Sequence, residues 1–179
     1  MADRLLGRYA LGDPFQAPRL TGFAVAIGDL VYWDSVPTSD IRGGAPAGSV
    51  GVIKSFASYP WGTSLAATQS SVAPVFAGVC AQRWPVGGNV PPIFGGQDGW
   101  LMIYPTGVFE FDCLAGSTFT QFQLVGPDQV AGGGALLPQQ VAGVSSKSSA
   151  IGRVERAAVN VSKVLVRVFT AEMAPLTNA

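Results

Sequence analysis

Glycine and proline recur so often along this chain that they cut it into short runs. There are 23 glycines and 13 prolines among 179 residues, close to a fifth of the sequence, where about 12% is usual. From Gly22 onward the runs between these breakers are rich in β-formers and bounded by Gly, Pro, Asn and Ser clusters, which predicts sheet. The expected strands are Leu30 to Trp33, Val75 to Gln82, Trp100 to Tyr104, Val108 to Cys113, Ile151 to Arg156 and Val161 to Phe169, with a weaker one over Gln139 to Val144. Period-two alternation sets Phe109, Phe111 and Cys113 on one face and Val108, Glu110 and Asp112 on the other. By the same rule Val164, Val166 and Val168 oppose Lys163, Leu165 and Arg167. A single internal stretch, Ser64 to Val72 between Pro60 and Pro74, reads as one to two turns of helix.

These elements predict an all-β fold: one compact β-barrel or β-sandwich over residues 22–170, with long loops and one short helix. Residues 1–21 read as an extended amino-terminal arm and 171–179 as a carboxy-terminal tail. Gly7, Gly12, Pro14 and Pro18 deny the arm a fold of its own, yet it carries large apolar groups that need cover. Leu5, Leu6, Tyr9 and Phe15 are therefore the candidate partner-binding anchors. Pro37 to Gly48, Pro85 to Gly99 and Asp128 to Pro138 are expected loops, long enough to suggest binding or mobility. A faint internal echo runs through the chain. Ile27-Gly28-Asp29-Leu30-Val31-Tyr32 resembles Phe122-Gln123-Leu124-Val125-Gly126-Pro127, and each is followed by an apolar strand holding Gly-Val or Gly-x-Val, at Ala77-Gly78-Val79 and Ile151-Gly152-Arg153-Val154. Two copies do not establish a repeat, but they suit a barrel in which a turn-strand unit recurs.

Composition narrows the chemistry. With no histidine, the chain has no Ser-His-Asp or Cys-His site, no His-ligated zinc and no imidazole proton shuttle. Eleven basic and eleven acidic residues cancel, which removes the long-range attraction behind non-specific nucleic-acid or anionic-membrane binding. Neither partner is expected. Charged residues are only 12% of the chain and mean hydropathy is +0.34, yet there is no run near the roughly 20 apolar residues of a bilayer span. Such a surface suits a chain partly covered by other protein. The opening Met1-Ala2-Asp3-Arg4 leads into no hydrophobic signal region, so synthesis and assembly in a cytoplasm are expected, with Cys80 and Cys113 as buried thiols.

Candidate chemical constellations are weak. Glu110 and Asp112 share a strand face about 7 Å apart, a spacing that suits a divalent ion but also arises on any solvated strand face. Gly48-Ser49-Val50-Gly51-Val52-Ile53-Lys54-Ser55 looks like a phosphate loop, except that Ile53 stands where the motif needs glycine. Two cysteines without histidine do not complete a zinc site. Asn160-Val161-Ser162 matches a glycosylation acceptor but opens a predicted strand. Trp33, Trp61, Trp84 and Trp100 suit core or interface anchoring better than a sugar site. No cofactor, metal or catalytic residue is indicated, and the chain reads as a binding protein, not an enzyme.

Several segments, taken in order, resemble the small capsid cement or head-decoration proteins of tailed bacteriophages. They are Gly28 to Asp34, then Trp61 to Gln69 leading to Phe76-Ala77-Gly78-Val79, Thr106 to Cys113, Phe119 to Pro127, and Ala150 to Val154 followed by Lys163 to Val168. The resemblance runs from about Gly22 to Phe169; the loop from Pro85 to Gly99 departs from it, and the amino-terminal arm does not align. It implies a compact β-barrel or β-sandwich on the capsid exterior of a virion. There it would bind the major capsid protein, reinforce contacts between its subunits and self-associate, often as a trimer about threefold positions. The family has no active-site motif to carry over. The alternatives are another virion β module, from a tail or fibre, and a carbohydrate-binding module drawing on the tryptophans and the Glu110/Asp112 pair.

Overall fold

A computed structural model describes residues 7–10, 14–20, 24–34, 41–42, 52–81 and 100–170, with backbone alone at 7–10, 18–20, 41–42, 52 and 100. Twelve strands and one α-helix are present among them. In chain order they are β1 (Gly7–Ala10), β2 (Phe15–Leu20), β3 (Leu30–Asp34), β4 (Ile41–Arg42), β5 (Val52–Ser55), α1 (Leu65–Val72), β6 (Phe76–Cys80) and β7 (Trp100–Tyr104), then β8 (Gly107–Phe119), β9 (Leu124–Gln129), β10 (Leu136–Gly143), β11 (Gly152–Val154) and β12 (Ala158–Val168). The all-β expectation holds, with two sheets and a single short helix.

In the carboxy-terminal half the strands pair in the order β8-β10-β9-β11-β12, and β12 returns to β8, closing a five-stranded barrel with β1 added outside. The amino-terminal sheet repeats this circuit as β2-β5-β3-β6-β7, with β7 returning to β2 and β4 added outside. Sense matches as well as order. The first and third strands of each half meet in parallel at one point, Arg19 with Ile53 and Asp112 with Gln140. Every other contact around both circuits is antiparallel.

Register matches too. Phe15 opposes Ile103 and Ala17 opposes Leu101 in the first half, as Phe109 opposes Val166 and Phe111 opposes Val164 in the second. Val31 faces Gly78 as Val125 faces Gly152, and Cys80 faces Ile103 as Val154 faces Val166. The internal echo is thus structural, and it places Val31 with Val125, one residue along from the side-by-side reading of the two hexapeptides. The paired glycines have a shared reason. A Cβ on Gly78 would lie 2.2 Å from the Tyr104 carbonyl oxygen, and one on Gly152 would lie 2.7 Å from the Arg167 carbonyl oxygen. In each half the last strand passes too close for a side chain.

Packing follows from strands buried on both faces. Val31 joins Ala17, Ile53, Ala77, Leu101 and Ile103 in the amino-terminal core, while its neighbours Leu30 and Tyr32 turn the other way into the larger core. That larger core also holds Phe109, Phe111, Val125, Val141, Val154, Val164, Val166 and Val168, so the outer face of β3 and β6 is continuous with the second half. Both predicted alternations are visible in it. Val108, expected on the outward face, is nonetheless buried, whereas Glu110 is half-buried and Asp112 exposed.

The predicted helix is α1, capped by Ser64, whose hydroxyl accepts from the Ala67 N–H at 3.2 Å. Gln69, buried on its inner face, donates Nε2 to the Pro127 carbonyl of β9 at 2.7 Å and so pins the helix to the barrel.

Two expectations change. Asp128 to Pro138 is a hairpin, not a long loop: the Val130 N–H reaches the Ala135 carbonyl at 3.0 Å and closes the turn. Gly132, Gly133 and Gly134 sit there at φ of 88°, 81° and 93°, angles that glycine adopts without penalty. Residues 7–10 and 15–20, read as part of an extended arm, are extended but belong to this chain's own sheets. β1 pairs with β8, and β2 pairs with β7, β5 and β4. Backbone groups of those residues find partners at home, a source of order that side-chain patterning does not display.

Candidate partner-binding surface

Of the four predicted anchors, Leu5 and Leu6 lie outside the described residues, and Tyr9 is placed by its backbone in β1. Phe15 is half-buried and its ring stacks on Trp33, centroids 5.8 Å apart and planes 17° from parallel. It packs against the amino-terminal core rather than standing out from it.

The other sequence candidates are engaged in structure. Lys163, directly across from Asp112, places Nζ 2.6 Å from its carboxylate and 3.9 Å from that of Glu110, so a cation of the chain itself occupies the pair. Among the described residues no group of three or more Cys, Asp or Glu could hold a metal ion. No described helix is long and apolar enough to cross a membrane. The end of the phosphate-loop look-alike, Val52–Ser55, is strand β5. Cys80 belongs to the amino-terminal core and Cys113 to the larger one, so the two thiols do not meet. Burial pushes the Cys113 thiol up from its ordinary pKa. Trp33 and Trp61 pack against the two cores, Trp84 lies outside the described residues, and Trp100 is described only as backbone in β7.

One buried polar junction joins the halves. Asp29 is 4% exposed. Its Oδ2 accepts from the Ala26 N–H at 3.0 Å and the Ser55 hydroxyl at 2.9 Å, and its Oδ1 accepts from Gln139 Nε2 of β10 at 2.9 Å. The same Gln139 nitrogen donates to the Ile27 carbonyl at 3.1 Å. A buried carboxylate is stable only with such donors, and Gln139 ties β10 to the turn that opens β3. The Gly28-Asp29 turn was legible in the sequence; its partner 110 residues away was not.

Three large apolar side chains stand out to solvent. Among the described residues the exposed large hydrophobic side chains are Leu114, Phe122 and Val159, at 71%, 57% and 74% exposure. They belong to three segments of the carboxy-terminal barrel: β8, the turn that follows it, and β12. Leu114 lines a cavity of about 250 Å³ together with Phe119, Gln123, Asp128 and Val141; Phe122 precedes Gln123; and Val159 follows Ala158, which opposes Phe119. The guanidinium of Arg153 lies over the Phe122 ring, 5.3 Å from its centroid. Close by, Glu155 takes two hydrogen bonds from Arg167, 2.8 Å from Nε and 2.6 Å from Nη2. Those bonds hold the Glu155 carboxyl below the usual range and raise the Arg167 guanidinium.

Phe122 is also conformationally unusual. Its φ of 65° lies in the left-handed region, which costs a residue with a Cβ about 1–2 kcal/mol. In the sequence Phe122 opens the internal echo and falls within the Phe119 to Pro127 segment of the resemblance, but neither marks its conformation, because a positive φ leaves no mark on hydropathy. Against known protein-family models and curated proteins the sequence finds no match.

Proposed function

We propose that this chain is a virion structural protein that binds the outside of a capsid and reinforces contacts between major capsid protein subunits. The observation that carries the reading is the exposure of Leu114, Phe122 and Val159 on the hydrogen-bonded carboxy-terminal barrel, in a chain with 12% charged residues and no net charge. Large apolar side chains held in water on ordered backbone suit a surface that another protein covers. The resemblance to phage cement proteins supplies the partner. Its segments, from Gly22 to Phe169, include equivalent strands of both halves. The role is mechanical: a clamp adds apolar contact across subunit seams, worth roughly 25 cal/mol per Å² before ordering costs, and many copies act together.

Two measurements test this. A cryo-electron map of purified particles should show the two-sheet density on the shell exterior; density at a tail or fibre would favour the other virion reading. Particles lacking the chain should assemble yet release DNA at lower temperature or after osmotic shock, and unchanged release would remove the reinforcing role.

A further inference from the structure

One bulge recurs in both halves. Gly28 and Asp29 together face Cys80: the Gly28 N–H donates to the Cys80 carbonyl at 2.8 Å, and the Cys80 N–H donates to the Asp29 carbonyl at 2.9 Å. Phe122 and Gln123 face Val154 through the same two bonds, both at 2.8 Å. The turn before the bulge matches as well, the Asp29 and Gln123 N–H groups each donating to the carbonyl three residues back at 3.2 Å. The first bulge residue has a φ of 89° at Gly28 and 65° at Phe122, a conformation for which this kind of bulge uses glycine. The first half follows that rule, and the second breaks it with an aromatic residue.

The register shows what else changes between the halves. Val79 lies between Leu30 and Tyr104, and the equivalent Arg153 lies between Leu124 and Arg167. Where Gly28 serves, the cross-strand pair is an aliphatic residue with an aromatic one. Where Phe122 stands, two arginines are directly opposite, an arrangement that repels. Glu155 takes two hydrogen bonds from Arg167, at 2.8 and 2.6 Å, while Arg153 places its guanidinium over the Phe122 ring, 5.3 Å from the centroid. We propose that Phe122 is a positioning residue: from its strained place in the bulge its ring draws the Arg153 guanidinium aside, which leaves Glu155 to Arg167 and keeps β11 seated between β9 and β12. With three residues, β11 is the shortest strand of the barrel and joins β9 to β12, so repulsion across it acts on the barrel's shortest link. The clip is internal to the chain and stands whether or not the capsid reading does.

The free protein suffices for the test. Wild type, Phe122→Gly, Phe122→Leu, Phe122→Tyr, Arg153→Gln and the Phe122→Gly/Arg153→Gln double variant are compared by chemical denaturation and by NMR. In wild type the ring should shift the Arg153 δ-methylene protons upfield. Phe122→Tyr should keep that shift, whereas Phe122→Leu, apolar but without a π face, and Phe122→Gly should lose it. Phe122→Gly relieves the backbone, so it should fold. Its gain in folding equilibrium constant should be about two- to fivefold larger in the Arg153→Gln background than in wild type, the size of an exposed cation–π contact. Added salt should stabilise Phe122→Leu relative to wild type by screening Arg153 from Arg167. Arg153 protons unshifted in wild type, or an equal effect of Phe122→Gly in both backgrounds, overturns the inference. A salt response that is the same in wild type and Phe122→Leu removes the repulsion from the account and overturns it too.

Discussion

Asp29 and Gln139 meet at 2.9 Å between two halves that share one strand circuit. Gln139 comes from β10 of the carboxy-terminal barrel, and Asp29 sits in the turn that opens β3 of the amino-terminal sheet. The contact is asymmetric within a repeated fold. The residue equivalent to Asp29 is Gln123, whose Oε1 makes the corresponding turn bond to the Thr120 N–H.

Removing this junction should loosen the union of the halves. Asp29→Ala takes the carboxylate acceptor from the Ala26 N–H and the Ser55 hydroxyl and leaves Gln139 only the Ile27 carbonyl, and is expected to cost roughly 3 kcal/mol, while Gln139→Ala costs about 1–2 kcal/mol. Chemical denaturation of both single variants and the double variant should give a coupling above about 0.5 kcal/mol. Additive losses would show that the two side chains do not support one another.

Gly78 and Gly152 should be the least replaceable equivalent pair. Alanine at Gly78 would set its Cβ 2.2 Å from Tyr104 O at φ 137°, and alanine at Gly152 meets Arg167 O and Val166 Cγ1, both at 2.7 Å. Both variants should lose at least about 3 kcal/mol, with Gly78→Ala the worse. Thermal melts compare them directly, and a mild loss at Gly78 would mean that β6 and β7 separate easily.

Acid should erase the contribution of the Glu155–Arg167 pair. The folded-state pKa of Glu155 lies below its ordinary value because Arg167 donates to it. The stability it adds is therefore present above the unfolded carboxyl pKa and is lost as pH falls through the folded one. The pair is partly exposed, with side chains at 33% and 31%, so the effect should stay under about 1 kcal/mol. Glu155→Gln should be less stable than wild type at neutral pH and equal to it in acid; a gap that persists in acid would assign the loss to packing.

Thiol reagents should label Cys80 and Cys113 only as the protein unfolds. Both are buried, and burial raises the Cys113 pKa, which keeps the reactive thiolate scarce. Rapid native labelling of either would show local opening of its core.

A chain beginning at Thr21 should lose the amino-terminal circuit altogether. It lacks β2, which pairs with β4, β5 and β7. A chain beginning at Gly7 retains every described strand. Cooperative melting of the shorter form with native circular dichroism would show that β2 is dispensable.

Local chemistry was enough to determine the kind of element at many places. Gly and Pro spacing confines the chain to short strands, the alternation of Phe109, Phe111 and Cys113 marks a buried face, and Ser64 ahead of an alanine-rich run starts the helix. Each signal lies within a few residues of what it specifies. Partnership is different. That Phe15–Leu20 enters the sheet as β2, that Gln139 reaches Asp29, and that Phe122 stands where Gly28 stands are outcomes of pairing between segments tens of residues apart. Strand edges carry the same N–H and C=O groups whatever the sequence, so only the closed circuit, with its cores filled from both sides, selects which edges meet.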